Sequence, residues 1–167
     1  MKTLPTVVWV AIVLIGTASA ATPPITPDPQ KTPGATMTVS LKTLCTPGYS
    51  SSVRNVPESL KKQVYAAYGI TPSNHMATAA SGRRVRKSDY EIDHLISLEL
   101  GGSNDAKNLW PESYITKRYN ATVKDGLENR LHWLVCHAGL PVATAQRAIA
   151  TDWIGAYKHY VVQNATQ

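Results

Sequence analysis

The spacing of apolar positions divides the chain into a few readable stretches. Leu60, Val64 and Tyr68 recur at four-residue steps behind Pro57, predicting a helix to about Tyr68 that stops at Gly69. Val123, Leu127, Leu131, Leu134 and Val135 define the core face of a helix over 121–136, although Gly126 interrupts it at a cost of about 1 kcal/mol. Ala145, Ile149, Trp153 and Tyr157 form the stripe of a last helix over 142–161, set off by Gly139 and Pro141. Residues 90–100 read as a buried strand running into a loop, and Lys107 to Trp110 as a second short strand. Between them, Gly101-Gly102-Ser103-Asn104-Asp105 is turn chemistry. Pro111 is expected to open a further helical piece within 112–119. Val39, Leu41 and Leu44 suggest a short strand or ordered arm ending at Cys45, and residues 71–88 a long polar loop. The sum is an α+β, mostly helical domain.

The ends have a different character. Lys2, an apolar run from Val7 to Ile15 and Ala18-Ser19-Ala20 have the order of a cleavable export signal over residues 1–20. That run falls short of the ~20 residues needed to span a bilayer. An uncleaved N-terminal anchor is the alternative. Residues 21–36, rich in Pro and Thr, are expected to form an extended linker, with the domain occupying 37–167. A secreted or periplasmic location follows from this reading, with no membrane contact in the mature form and a monomer as the default.

Export changes the reading of the two cysteines. In an oxidising compartment Cys45 and Cys136 are expected to pair, closing a loop that contributes on the order of 4 kcal/mol. Two free buried thiols are the alternative. Removing residues 1–20 takes away Lys2 and no acid, so the formal charge falls from +6 to +5. A basic chain suits a polyanion. The basic residues cluster: Arg83, Arg84, Arg86 and Lys87 lead directly into the 90–100 strand, and phosphate contact competes there with simple solvation. Arg54 is either a phosphate contact or the partner of an acid.

The densest chemistry lies at Asp93-His94. A strand, a glycine turn, a second strand and a helix make a ββα unit. Asp93 is a hard oxygen donor suited to Mg²⁺ or Mn²⁺. His94 titrates near neutrality and can deprotonate water. Neighbouring side chains on a strand point to opposite faces, so the pair converges only where the strand bends or ends. Asn108, from the second strand, can orient the loop. Glu91 and Glu99 flank the site, and Trp110 reads as a packing anchor.

Glu91-Ile92-Asp93-His94-Leu95-Ile96, Leu100-Gly101-Gly102-Ser103 and Asn108-Leu109 together resemble the His-Asn-His (HNH) signature of the ββα-metal nucleases. Cys45-Thr46-Pro47-Gly48-Tyr49, Asn108-Leu109-Trp110-Pro111, Lys124-Asp125-Gly126-Leu127-Glu128 and Asp152-Trp153 extend the similarity to small exported bacterial proteins carrying that motif. The resemblance implies a divalent-metal endonuclease acting on DNA, and on RNA as a further substrate. It makes His94 the general base, Asp93 a metal ligand and Asn108 the stabilising middle residue. The family's third position falls on Lys117, where neither His nor Asn stands. Asn120 is the nearest substitute as second ligand, with Lys124 and Glu128 one and two turns further on, Lys124 also being a candidate catalytic group. The alternative to an enzyme is a nucleic-acid-binding or envelope-associated module that keeps the scaffold.

Overall fold

The computed structural model describes residues 26–79 and 81–163. The expected export signal lies outside the described residues. In chain order the elements are short helices α1 (Leu41–Leu44) and α2 (Tyr49–Val53), helix α3 (Glu58–Ala67), strands β1 (Asn74–Thr78), β2 (Arg84–Ser88), β3 (Tyr90–His94) and β4 (Leu109–Ser113), then helices α4 (Ala121–His137) and α5 (Val142–Tyr157), which runs into a π-helical turn at Lys158–Val162. The strands form two separate antiparallel pairs, β1–β2 and β3–β4. The class is therefore α+β, with helix dominating.

The apolar stripes read from the sequence become the core. Leu127, Leu131 and Val135 of α4 meet Ala145, Ile149 and Trp153 of α5, and Leu44, Ile96 and Leu100 close the cluster. Burying one leucine here removes enough apolar surface from water that truncation to alanine costs about 2–5 kcal/mol. Cys45 and Cys136 are joined by a disulfide, tying the end of α1 to the last turn of α4.

Four local expectations change. Leu41–Leu44 is helical rather than extended, because Ser40 caps it by accepting the Thr43 amide at 3.1 Å. The polar stretch expected as a loop is the β1–β2 hairpin, in which Met76 pairs with Arg86 and Thr78 with Arg84. Its alternation of exposed and half-buried positions carries no apolar run, which is why it reads as loop. Pro111 sits inside β4 opposite Ile92 instead of opening a helix, and the residues before the strand, Ala106–Asn108, form a 3-10 turn. A two-stranded sheet consists only of edges, so an amide missing from the outward side costs no ladder bond. Lastly, the ordered fold begins before residue 37. Thr32 is buried, and its hydroxyl donates to the Leu109 carbonyl at 2.8 Å and lies 2.8 Å from the Tyr68 hydroxyl. The Gly34 amide donates to Lys107 O at 2.9 Å, and Thr36 bridges to Gly102. Proline spacing hides this strap, whose attachment is made through backbone and hydroxyl groups.

Candidate functional site

The connection from β3 to β4 sets the site, and one side chain organises it. Asn108 is fully buried. Its Oδ1 accepts the Ile96 amide at 3.0 Å, and its Nδ2 donates to the carbonyls of Ile96 and Ser103, both at 2.9 Å. The loop closes so tightly that a Cβ on Gly102 would stand 1.7 Å from the Ile96 carbonyl oxygen, so only glycine fits. Gly101, at φ +80°, turns the chain into it. The Gly-Gly pair and Asn108 thus act as one clamp that holds the end of β3.

Asp93 and His94, consecutive at that end, diverge as strand neighbours do. Asp93 faces α4. Its Oδ2 accepts from Lys124 Nζ at 2.5 Å, and the same ammonium donates to the His94 carbonyl at 2.8 Å and to Glu128 Oε1. The four-residue step from Lys124 to Glu128 places both on one face of α4. Lys124 is fully buried, and Glu112 of β4 is buried beside the group. Burial alone would pull the Lys124 ammonium down; the carboxylates of Asp93, Glu128 and Glu112 reverse this and hold it well above its ordinary value. Burial would raise Asp93, yet Lys124 outweighs it, leaving Asp93 below the usual carboxylate range. Burial wins at the other two acids: Glu112 is pushed far up and Glu128 to about 8. The cluster is therefore a buried Asp93–Lys124 ion pair flanked by two acids, Glu112 and Glu128, whose pKa values burial raises.

His94 points the other way and is 1% exposed. Its Nε2 lies 3.0 Å from Asn104 Oδ1. Asn104 Nδ2 donates to the Val53 carbonyl at 2.8 Å, and Oδ1 also accepts the Asn55 amide at 3.2 Å. Asn104 Oδ1 is thus an acceptor, which makes His94 Nε2 the donor and leaves the Nδ1 lone pair free. Nδ1 is buried with no hydrogen-bond partner. Burial, chiefly, depresses the imidazole pKa, with Arg54 and Lys124 adding to the effect. The result is a neutral histidine of fixed tautomer, the state a general base requires. Asn104, read from sequence only as a turn residue, is the group that fixes it.

Beside these groups lies a polar cavity of about 210 Å³ lined by Ser50, Arg54, Ser97, Glu99, Asp125 and Glu128, among others. Ser97 Oγ and Glu99 Oε1 are buried there without partners. Burial raises Glu99 and Asp125. Arg54 lines this cavity and a neighbouring one that carries Lys61, Tyr65 and Glu91.

The other expected residues divide. Asn120 does not join Asp93: it caps α4, its Oδ1 accepting the Val123 amide at 3.2 Å and its Nδ2 donating to Thr116 O at 3.0 Å. Both ends of its amide are engaged in capping the helix, and Lys124 takes the place facing Asp93. Arg83, Arg84 and Arg86 are exposed on the β1–β2 hairpin and its turn. Lys87 is turned inward, 3.2 Å above the Tyr114 ring, whose hydroxyl donates to Glu91 Oε2 at 2.5 Å. Among the described residues, Cys45, His132 and Cys136 form a group whose ligand atoms lie close enough to share a metal ion, the two sulfurs being joined in the disulfide. No model of a known protein family, no curated protein and no solved structure matches the chain.

Proposed function

We propose that the protein is a metal-dependent phosphodiester hydrolase acting on nucleic acid, with His94 as general base. One observation carries this reading: a buried imidazole whose tautomer is set by Asn104 and whose Nδ1 is unpartnered, within electrostatic reach of Arg54, which lines an oxygen-rich cavity. Buried polar atoms normally find partners, and the exceptions concentrate where chemistry needs them.

The cavity suits a hard divalent cation. Mg²⁺ keeps much of its water and needs only one or two carboxylates, and Glu99, Asp125 and Glu128 face the cavity with the unpartnered Ser97 hydroxyl. Asp93, expected as a ligand, is paired with Lys124. When bound, such an ion supplies charge neutralisation at the phosphate and the leaving oxygen. The chain's own groups do the rest. Arg54 holds a phosphate oxygen, His94 Nδ1 takes a proton from water, and Asn104 keeps Nδ1 free by occupying Nε2. Lys124 positions the end of β3 through Asp93 and the His94 carbonyl.

The test is nicking of supercoiled plasmid across a Mg²⁺ and Mn²⁺ titration. Wild type nicks in a metal-dependent manner, and His94→Ala abolishes nicking while retaining its circular dichroism spectrum. A folded wild type that leaves plasmid intact at every metal concentration removes the hydrolase reading.

A second reading has its own support: His94 is buried and Lys124 fills the place opposite Asp93. Under it the chain binds nucleic acid without cutting, and wild type and His94→Ala retard DNA equally.

A further inference from the structure

The disulfide has a neighbour that a purely structural staple does not need. His132 and Cys136 lie one helical turn apart on α4, on one face. His132 Nε2 stands 3.4 Å from Cys136 Sγ. Cys45 closes the group from the end of α1, and one ligand atom from each of the three residues falls within 4.8 Å of the others. On its far side, His132 Nδ1 faces Glu99 Oε2 at 3.9 Å. A carboxylate behind an imidazole that points at sulfur is the outer-shell arrangement that orients a metal-bound histidine. All three residues are half-buried, so solvent and solutes reach them.

We propose that Cys45, Cys136 and His132 form a redox-gated site for a thiophilic cation, Zn²⁺ foremost, available once the disulfide is reduced. A dithiol reductant attacks one sulfur, the S–S bond breaks, and a mixed disulfide forms. The reductant's second thiol resolves it, so the reductant leaves as a cyclic disulfide and the protein holds two thiols. Metal binding then releases both thiol protons and engages the His132 Nε2 lone pair, moving the ring proton to Nδ1, toward Glu99. In the oxidised form Nε2 lies 3.3 Å from the Leu44 carbonyl, and the metal takes over that contact.

The geometry needs little rearrangement. With Zn–S near 2.3 Å, two sulfurs on one tetrahedral ion stand roughly 3.8 Å apart. The Cα atoms of the pair, 5.7 Å apart, accommodate this by side-chain rotation. The fourth position is left to water. A divalent ion would keep α1 clipped to α4 when the covalent tie is open. Soft thiolates select Zn²⁺ or Cu⁺ over the hard cations suited to the oxygen-lined cavity, so the two sites differ in metal preference.

Cobalt reports the site directly, because thiolate ligation gives a sulfur-to-metal charge-transfer band in the near ultraviolet. The full chain, reduced with a phosphine and verified to hold two free thiols, should take up one Co²⁺ with that band, and Zn²⁺ should displace it. The oxidised chain should show none. His132→Ala should fail to retain the ion through desalting, and Glu99→Gln should bind it about 10-fold more weakly. A reduced, folded chain with no band in excess Co²⁺ overturns the proposal, as does a His132→Ala variant that binds like wild type. If reduction unfolds the chain, Zn²⁺ should restore its circular dichroism; no recovery is equally decisive against the site. None of these readouts involves nucleic acid, so they stand or fall apart from the hydrolase reading.

Discussion

The two hairpins share a plan and differ in almost everything else. Each pairs two five-residue strands antiparallel. In β3–β4 every β4 residue is buried, α3 packs against both strands, Lys124 reaches in from α4, and Asn108 with Gly102 locks the connection. In β1–β2 no residue is fully buried, and the outward face presents Arg84, Arg86 and Met76. A hairpin by itself is only marginally stable, so each takes its character from its support. The inner one is fixed by packing and holds the His94 ring to a narrow geometry. The outer one is tethered at its root, where Ser73 bonds Asp89 and Lys87 caps Tyr114, and its arginines are free of ion pairs among the described residues.

The contrast breaks most severely at the clamp. Gly102→Ala drives a carbon into a backbone oxygen, and the expected loss exceeds about 4 kcal/mol, seen as failure to fold or a collapsed urea midpoint. Lys124→Met ranks next. It leaves Asp93 ionised in a buried place without its cation, and the expected cost is about 3–5 kcal/mol by urea denaturation. A methionine variant as stable as wild type would show that the ammonium is dispensable to the inner hairpin.

A pH series sharpens the same side more gently. The native His94 pKa lies below the ordinary value of 6.5 because the ring is buried. As pH falls through about 6.5 the unfolded chain takes up a proton that the native ring refuses, so stability declines on the acid side. His94→Ala should flatten that decline in urea midpoints, and wild-type nicking should keep its acid limb below pH 6.5. The smallest effect belongs to the outer hairpin. Arg84→Ala with Arg86→Ala should change stability by less than about 0.5 kcal/mol each. The pair should weaken DNA binding and reduce the salt slope by about one per charge, read by fluorescence anisotropy at several salt concentrations. An unchanged slope would assign the outer arginines to solvation alone.

Legibility followed the source of each element's stability. The helices α3, α4 and α5 were readable because apolar residues at helical spacing bury against one core. The disulfide was readable from an even cysteine pair in a chain whose start reads as an export signal, and Asn108 from its place after the glycine turn. β1–β2 was not, since its strands bury almost nothing and pairing alone defines them. Pro111 misled because it suits a helix start as well as a strand edge. At the candidate site, Asp93 and His94 stand out in the sequence, and the side chains that bond to them stand out less. Lys124 was one of three alternatives along α4, and Asn104 looked like any turn residue until the fold brought it ten positions back onto His94.

The strap at residues 26–36 bears on how this chain tolerates trimming. Thr32 grips the first residue of β4, the Ala35 amide lies 3.4 Å from Asn108 Oδ1, and Thr36 zips to Gly102. A protease cut anywhere between Thr32 and Thr36 would therefore loosen the β3–β4 connection from behind without touching a single residue that lines the oxygen-rich cavity.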